Sequence, residues 1–433
     1  MLWLTDSFKT AKEDAQAGAF VRTADPTRLK VDLLALGPGD DHRFKHDFHA
    51  SGGSVYQVNA LSRGDIGAFL RLRRRVKEGR YDLIHAHSSW ASIWGSRVGR
   101  LLRVPVVATL YDPRVDPSGK TNLHKEEEQA IRALRRWGTR VVALSGAQWD
   151  RYVQGGAFSR SFLEVVYQGV AVSETPVGPE EREAAQIWLR RHASFPPGAN
   201  IAVTIADLDD WESGVDVLLW AIPKIVRDSP QTRFVIIGEG EHSEELDRRI
   251  RARGLNHLIS WHRNHDDVRQ ILMGSDLFIH PSLRDPFPVS VLNAMSAELP
   301  VVGTRVGGVP EIIGTSEAGR LVPRSDPDAL AEAAVELFRD PPRLAVMGRA
   351  AADRVRKMFT LSGWADRMEQ LYREVIDDVQ AGRSTRPNSY ARLDVRLLGL
   401  DRRETSHART SNRNGRSPRD LSLQEPVPVG AAG

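Results

Sequence analysis

Short apolar segments alternate with helix-like stretches, and this pattern runs twice along the chain. The apolar segments of the first half are β-branched or aliphatic and lie at 31–36, 83–86, 106–109, 140–144 and 163–166. Those of the second half lie at 201–205, 234–237, 259–261, 277–279, 301–303 and 319–322. Strands that alternate with helices predict an α/β fold with parallel sheets covered by helices on both faces.

The two repeats of the pattern are separated by a cluster of structure-breaking residues, Phe195-Pro-Pro-Gly198. A chain of 433 residues is also too long for one hydrophobic core, because domains usually span roughly 100–200 residues. We therefore predict a first domain at 1–177, a linker at 178–198 and a second domain at 199–362. In such sheets ligands bind beyond the carboxyl ends of the strands, so the loops there are where chemistry is expected.

The composition limits the cellular location and the kinds of site that can be expected. Hydrophobic residues make up 41% and charged residues 27%, as in globular proteins. The absence of cysteine excludes disulfides, thiolate metal sites and thiol nucleophiles, and fits a reducing cytosol. No apolar run reaches the roughly 18 residues of a membrane span, and residues 1–9 lack the features of a signal peptide. We expect a cytoplasmic location, with peripheral attachment to the inner face of a membrane as an alternative.

The net charge of +4 is unevenly distributed. Residues 382–433 hold ten Arg and five acidic residues, a charge of +5, which leaves −1 for the rest of the chain. We predict that this Arg-, Ser- and Asn-rich segment is a disordered tail, with a tether to an anionic surface as its functional alternative. Because the basicity belongs to the tail, no nucleic-acid partner is expected.

The second half contains linked motifs at regular intervals. They are Phe234-Val-Ile-Ile-Gly-Glu-Gly240, Ser275-Asp-Leu-Phe-Ile-His-Pro-Ser282, Asp285-Pro-Phe-Pro288, Val291-Leu-Asn-Ala-Met295, Pro300-Val-Val-Gly-Thr304 and Gly307-Gly-Val-Pro-Glu-Ile-Ile313. In order and spacing they resemble the donor domain of glycosyltransferase family 4, retaining enzymes of the GT-B fold. The resemblance implies two Rossmann-like domains that face each other across a cleft, the first on the acceptor side and the second binding a nucleotide sugar. It also implies that a last helix, at 363–381, packs back across the domain junction.

The first half resembles the family more weakly. Its landmarks are Asp82-Leu-Ile-His-Ala-His87, Pro105-Val-Val-Ala-Thr109, Val141-Val-Ala-Leu-Ser145 and Gln168-Gly-Val170. Residues 2–5 fit the first strand, but the Gly-Gly loop that follows it in the family is missing. Either this loop has diverged or the start of the sequence is truncated.

The cations that hold the donor diphosphate in the family are replaced here. The resemblance aligns the family Arg with Asp207 and the family Lys with Ser213. With Asp209, Asp210 and Glu212 nearby, a carboxylate there would repel a diphosphate unless other cations compensate. The candidate cations lie in neighbouring loops: Arg263, Arg284 and Arg305. Alternatively, the acids only solvate a loop and cap the helix that begins near residue 215.

The family's two donor carboxylates are also altered. The resemblance aligns them with Asp285, which would contact the donor sugar, and with Asn293, which can still bond a ribose hydroxyl. Between them, Val289 and Ser290 open a helix whose free N–H groups could face a phosphate, although Pro288 removes one donor. The structural alternative is an ordinary N-capped helix. The predicted donor-binding set is Asp207, Ser213, Gly238, Phe287, Val289, Ser290 and Asn293.

The predicted catalytic residues are Tyr111, His87 and Asp285. Tyr111, followed by Asp112, takes the position where the family often has a His close to the transferred sugar. Closure of the cleft would bring Tyr111 and His87 towards Asp285. For His85 and His87, which lie at a strand end, a structural role is the alternative.

Two functional hypotheses follow. The first is a glycosyltransferase that moves a sugar from a UDP- or GDP-sugar, with retention, to a glycan, a lipid-linked molecule or a small-molecule acceptor. The second is a catalytically silent GT-B protein that binds a partner glycosyltransferase or a glycan. The nucleotide sugar is a co-substrate, and neither a further cofactor nor a metal is expected, since GT-B enzymes generally use protein cations.

Overall fold

The chain folds into two domains, each built on one parallel β-sheet. A computed structural model describes residues 1–7, 11–38, 45–111, 123–173, 175–263, 268–314 and 317–383. The predicted tail from residue 384 onwards and Asp112 lie outside these ranges. The two sheets confirm the predicted α/β class with two Rossmann-like domains.

The sheet of the first domain has the order β3-β2-β1-β4-β5-β6-β7. Its strands are β1 Leu2–Thr5, β2 Asp32–Ala35, β3 Val55–Gln57, β4 Ile84–His87, β5 Val106–Thr109, β6 Arg140–Ala143 and β7 Leu163–Val165. The helices are α1 Ala11–Thr23, α2 Lys45–Ala50, α3 Ile66–Gly79, α4 Ser89–Leu102, α5 Leu123–Trp137 and α6 Gly146–Gln154. The segment at 2–5 is indeed a strand, and it lies at the centre of the sheet between β2 and β4.

The sheet of the second domain has the order β10-β9-β8-β11-β12-β13. Its strands are β8 Asn200–Ile205, β9 Thr232–Ile237, β10 Ile259–His262, β11 Leu277–His280, β12 Val301–Thr304 and β13 Gly319–Val322. The helices are α7 Pro179–His192, α8 Val215–Asp228, α9 Ser243–Ala252, α10 Val268–Gly274, α11 Val289–Ser296, α12 Val309–Ile313, α13 Pro327–Phe338, α14 Pro341–Met358 and α15 Leu361–Gln380.

Each sheet has a point where the strand order reverses, between β1 and β4 in the first domain and between β8 and β11 in the second. Loops that leave neighbouring strands in opposite directions open a crevice there, which is where doubly wound sheets bind ligands. The loops after β8 and β11, together with α11, carry six of the seven predicted donor residues. The fold therefore brings together segments that are far apart in the sequence.

The chain crosses between the domains twice, at Val170 and at Thr360. The Val170 N–H donates to the Phe359 carbonyl at 2.9 Å, and the Leu361 N–H donates back to the Val170 carbonyl at 2.9 Å. After the second crossing, α15 packs on the first domain, where Trp364 and Tyr372 join the core cluster of Trp3. This helix, which follows the second domain in the sequence, therefore packs on the first domain.

The predicted linker is largely helical. Residues 179–192 form α7, whose buried Ala185 and Leu189 belong to a core cluster of the second domain. A side chain at Gly274 in α10 would come within 2.6 Å of the Ala185 carbonyl, so the two helices are in close contact. This segment therefore packs as part of the second domain.

Candidate functional site

The loops at the carboxyl end of the second sheet pack directly on one another. The Leu283 N–H donates to the Glu212 carbonyl at 2.8 Å, which joins the loop after β11 to the loop after β8. The Gly308 N–H, in the loop after β12, donates to the Pro286 carbonyl at 2.9 Å. Three loops thus form one continuous backbone surface.

Two glycines permit this packing. Gly214 has a φ of +69°, and a Cβ there would lie 2.0 Å from the Pro281 carbonyl oxygen. Gly307 has a φ of +45°, and a Cβ there would lie 1.7 Å from the Asp285 carbonyl oxygen. Both positions require a left-handed backbone without a side chain, which only glycine tolerates at low cost.

The acidic side chains after β8 accept hydrogen bonds from the backbone of their own loop. The Asp207 carboxylate accepts the Asp209 N–H at 3.1 Å, and the Asp210 carboxylate accepts the Glu212 N–H at 2.9 Å. The N-cap of α8 is Gly214, and no side chain caps this helix. The expectation that the acids cap it is therefore wrong, because their carboxylates close turns within the loop instead.

Ser213, the residue at the family's Lys position, is half-buried. Among the described residues its hydroxyl oxygen has no hydrogen-bond partner although it is inaccessible to solvent. A Ser here leaves the loop without the cation that the family uses. Gly238, in the neighbouring loop, packs on Ala206, and its carbonyl accepts the Trp261 indole N–H at 2.9 Å.

Arg284 lies on the loop that packs against the loop of Asp207 and Ser213, because its neighbour Leu283 donates its N–H to the Glu212 carbonyl. It is half-buried in the loop after β11, and its charge acts on Glu212 in the loop after β8 and on Glu127 in α5 of the first domain. Burial raises the pKa of both carboxyls to about 7, and Arg284 opposes this rise in each. Asp210 raises the pKa of Glu212 further, and Arg324 lowers it.

The other two candidate arginines are placed differently. Arg263 follows the edge strand β10, and its guanidinium lies 4.6 Å from the centre of the Trp261 ring. Arg305 is exposed after β12, and its backbone N–H donates to the Val322 carbonyl at 2.8 Å. Of the three, Arg284 is therefore the one best placed to compensate for the substitutions at 207 and 213.

Asp285 and Phe287 lie where the loop after β11 meets the first domain. The Asp285 carboxylate accepts the Phe287 N–H at 3.2 Å, and its other oxygen lies 3.7 Å from His280 Nε2. The Phe287 ring is buried and stacks on Tyr167 of the first domain, with 5.5 Å between ring centres. Phe287 can thus position the loop, whereas its side chain is closed off from a ligand.

The first turn of α11 leaves its backbone donors uncapped. Pro288 occupies the N-cap without a side-chain bond, and Val289 and Ser290 are half-buried at the helix start. Asn293, one turn further along, is also half-buried, and its backbone carbonyl accepts the Ser296 hydroxyl at 2.8 Å. Such a helix start favours an anion.

The histidines of β4 belong to a buried aromatic network. His85 Nδ1 lies 2.7 Å from the Tyr372 hydroxyl and its Nε2 lies 2.9 Å from the Thr109 hydroxyl, so this ring holds α15 on the sheet. The His87 ring stacks on Trp3, with 3.9 Å between the ring centres. Burial lowers the pKa of both histidines, to about 3 for His85, so both are neutral.

Tyr111 connects this network to the domain boundary. Its hydroxyl donates to Gln16 Oε1 at 2.7 Å and lies 3.3 Å from His87 Nδ1. Because a tyrosine hydroxyl has one proton, His87 must carry its proton on Nδ1 to donate to the same oxygen. The Tyr111 ring is half-buried against the cluster that contains Phe287. His87 therefore touches Tyr111 rather than an open cleft.

Two further features were not identified from the sequence. Glu311 of the second domain accepts the Gly146 and Ala147 N–H groups at the start of α6, at 2.8 and 2.9 Å, and the Tyr167 hydroxyl at 2.8 Å. Glu127 accepts the Tyr152 hydroxyl at 2.8 Å. Glu311 lies within the motif Gly307-Gly-Val-Pro-Glu-Ile-Ile313, but no sequence signal identifies its partners, because they belong to the other domain.

The described residues contain no group of three or more His, Cys, Asp or Glu side chains that could hold a metal ion. Nor does this part of the chain contain a helix with the length and hydrophobicity needed to cross a bilayer.

Two Rossmann-like domains, with a last helix that returns to the first, define the GT-B class of protein. HepE from Anabaena, solved with UDP, superposes with a TM-score of 0.71 and 20% identity, over 86% of this chain and 99% of that one. Sucrose-phosphate synthase from Thermosynechococcus elongatus superposes with a TM-score of 0.70 and 17% identity, over 87% of this chain and 99% of that one.

The sequence comparisons give the family. The model described as Glycosyltransferase Family 4 matches residues 21–174, and the model described as Glycosyl transferases group 1 matches residues 199–340. An uncharacterized glycosyltransferase of Methanocaldococcus jannaschii is 24% identical over 70% of this chain and 78% of its own length. The alpha-D-kanosaminyltransferase of Streptomyces kanamyceticus is 24% identical over 73% and 84%. The chain belongs to the family 4 glycosyltransferases.

Proposed function

We propose that the protein transfers a sugar from a nucleotide-sugar donor to an acceptor with retention of the anomeric configuration, and that Arg284 replaces the missing donor-site cations. The observation that carries this proposal is the position of Arg284. It lies on the loop that joins β11 to α11, directly after Leu283, whose N–H donates to the carbonyl of Glu212 beside Ser213 at 2.8 Å. The positive charge of Arg284 also opposes the rise in the pKa of Glu212. A cation there can stabilise the negative charge that develops on a departing diphosphate.

The other donor contacts follow from the same loops. The diphosphate would accept from the N–H groups of Val289 and Ser290 at the start of α11, with Arg284 on the loop that leads into this helix. Asn293, one turn along α11, would bond the ribose hydroxyls, and Asp285 would bond the donor sugar. Tyr111, which packs against the core cluster of Phe287, would approach the donor sugar from the first domain, and His87, 3.3 Å from its hydroxyl, would be a positioning residue.

A uridine nucleotide is the first donor to test. HepE has been solved with UDP and with UDP-glucose, and this chain shares its fold. A guanosine donor is the second candidate. For the acceptor we propose a glycan, a lipid-linked molecule or a small molecule, and we place the reaction in the cytoplasm or at the inner face of a membrane.

A catalytically silent protein that binds a partner transferase or a glycan is the second candidate. The substitutions at Asp207 and Ser213, and the acidic loop around them, favour it. One relative, 29% identical over 39% of this chain and 37% of its own length, is named as the gpi3 subunit of a phosphatidylinositol N-acetylglucosaminyltransferase of Schizosaccharomyces pombe. A subunit role is therefore a reasonable alternative for this chain.

Donor hydrolysis separates the two candidates. Purified protein is incubated with UDP- and GDP-sugars, and the free sugar and nucleoside diphosphate are measured. We expect slow hydrolysis of one donor, release of the α-anomer from an α-linked donor, and loss of activity in Asp285→Ala but not in Asp353→Ala, an exposed control in α14. If no donor is hydrolysed, or if Asp285→Ala hydrolyses it like the wild type, the transferase proposal fails.

A further inference from the structure

The outer face of α3 and α4 combines a cavity, exposed aliphatic side chains and a high positive charge. The cavity has a volume of about 500 Å³ and is lined by aromatic rings, including Phe69, Trp94 and Trp137. Ile66 and Leu101 also line it, although their side chains are 74% and 59% exposed. Soluble proteins rarely leave such a group of apolar side chains in water without a function.

The helix period places more of these residues on the same face. Leu70, 52% exposed, follows Ile66 by one turn of α3, and Arg73, Arg74 and Lys77 continue the row along the helix. The structure thus presents an apolar patch bordered by cations. We call the set Ile66, Leu70, Arg73, Arg74, Lys77, Arg97, Arg100 and Leu101 the α3–α4 face.

Positive charge is concentrated in the part of the sequence that contains α3 and α4. Residues 61–103 contain ten Arg and Lys and three Asp and Glu, a net charge of +7, whereas the whole chain carries +4. Arg97 and Arg100 are exposed beside the cavity. An anionic surface would be attracted to this face over a distance of about 10 Å at moderate salt.

We propose that the α3–α4 face binds the surface of an anionic lipid bilayer. Exposed aliphatic side chains would enter the headgroup region, and the surrounding Arg and Lys side chains would bind lipid phosphates. This combination fits a membrane better than an acidic protein, because Ile66 and Leu101 line a cavity large enough for part of an acyl chain, and Leu70 lies one turn of α3 from Ile66. The inference deepens the peripheral location proposed above and does not depend on the donor chemistry.

Vesicle co-sedimentation of the full chain tests the proposal. We expect binding to phosphatidylcholine vesicles that contain phosphatidylglycerol, little binding to pure phosphatidylcholine, and weaker binding as salt increases. The Ile66→Asp/Leu101→Asp variant and the Arg97→Glu/Arg100→Glu variant should each bind at least about tenfold more weakly. All of these side chains are exposed, so the substitutions leave the core intact.

Matched controls separate this face from overall charge and from the Arg-rich tail. Arg227→Glu/Arg248→Glu makes the same change of net charge on exposed sites of the second domain, and Val346→Asp changes an aliphatic side chain that is 57% exposed. These controls should bind vesicles like the wild type, and nucleotide binding should be unchanged in every variant.

Two outcomes would overturn the proposal. Equal vesicle binding by the face variants and the wild type would assign the binding to another part of the chain, such as the tail. Absence of wild-type binding, together with a dimer in sedimentation velocity that Ile66→Asp/Leu101→Asp dissociates, would make the face a contact between copies. Neither result bears on the hydrolysis test with Asp285→Ala. The membrane proposal and the transferase proposal can therefore fail separately.

Discussion

Glu127 and Glu212 show how burial sets the charge around Arg284. Burial raises the pKa of each carboxyl to about 7, so near neutral pH each is only about half ionised. Together they therefore carry about one negative charge near neutral pH, which balances the single positive charge of Arg284 without exceeding it. Had both kept an ordinary pKa, two full negative charges would act on one arginine, and the site would repel an anion.

At the residue scale, the first prediction concerns Glu127, which is buried in α5. Its pKa is higher in the folded protein, at about 7, than in the unfolded chain, so the folded state binds more protons between these two pKa values. The contribution of Glu127 to the free energy of unfolding is complete at low pH and is lost as the pH rises towards 7. Glu127→Gln should raise the free energy of unfolding at pH 8 by up to about 3 kcal/mol, and by little at pH 5.

Urea unfolding at the two pH values measures this difference. Glu128→Gln is the control, because Glu128 is paired with Arg132 towards the surface of the same helix. An equal effect of Glu127→Gln at both pH values would contradict the assigned titration.

The sequence predicts candidate donor residues but not their surroundings. Asp207, Asp285 and Asn293 follow from motif order along the chain. The partners of Arg284 do not, because Glu127 comes from the other domain and has no motif of its own. Likewise, the sequence placed His87 at a strand end, but only the fold shows that Trp3 covers it.

At the scale of the elements, the donor loops depend on backbone contacts between them. Gly214→Ala should lower the free energy of unfolding by about 1–3 kcal/mol more than Gly254→Ala. Both glycines have a left-handed backbone, with φ of +69° and +66°, but a Cβ at 214 meets the Pro281 carbonyl whereas a Cβ at 254 meets nothing within 4 Å. Chemical denaturation measures the difference, and equal losses would show that the loops are not in contact.

The strands were easier to predict than the helices. The strands of the second sheet are continuous apolar runs, since both faces are covered, and all six were identified. β3 was missed because it has three half-buried residues at the sheet edge. α14 was missed as well: it begins with two prolines and is rich in Arg and Ala, so its apolar stripe is weak in the sequence although Leu344, Met347 and Val355 are buried.

At the scale of the whole molecule, Glu311 in α12 joins the second domain to the first. Its carboxylate accepts two N–H groups at the positive end of α6, and burial, followed by the Glu311 hydrogen bond, raises the pKa of Tyr167 to about 12. Tyr167 in turn stacks on Phe287, next to Asp285 and Pro288. The relative position of the domains and the donor loop are thus linked.

Glu311→Ala should loosen this junction. We expect faster amide hydrogen exchange at Gly146 and Ala147, a larger radius of gyration in solution scattering, and a loss of about 1–2 kcal/mol of stability. Glu332→Ala, at an exposed site of α13, is the control. The effects of Glu311→Ala and Tyr167→Phe should not add, because they remove one shared hydrogen bond. Unchanged exchange at Gly146 and Ala147 would contradict this role.

The central claim is that Arg284 makes this cleft a nucleotide-sugar site despite the acids at 207–212. Calorimetric titration of the purified protein with UDP and GDP tests it most directly, with Arg284→Gln as the variant and Arg227→Gln, at an exposed site of α8, as the control. We predict binding of one nucleotide by the wild type and the control, and an affinity lower by at least about tenfold in Arg284→Gln. Equal affinity in Arg284→Gln, or no binding by the wild type at millimolar nucleotide, would contradict the claim.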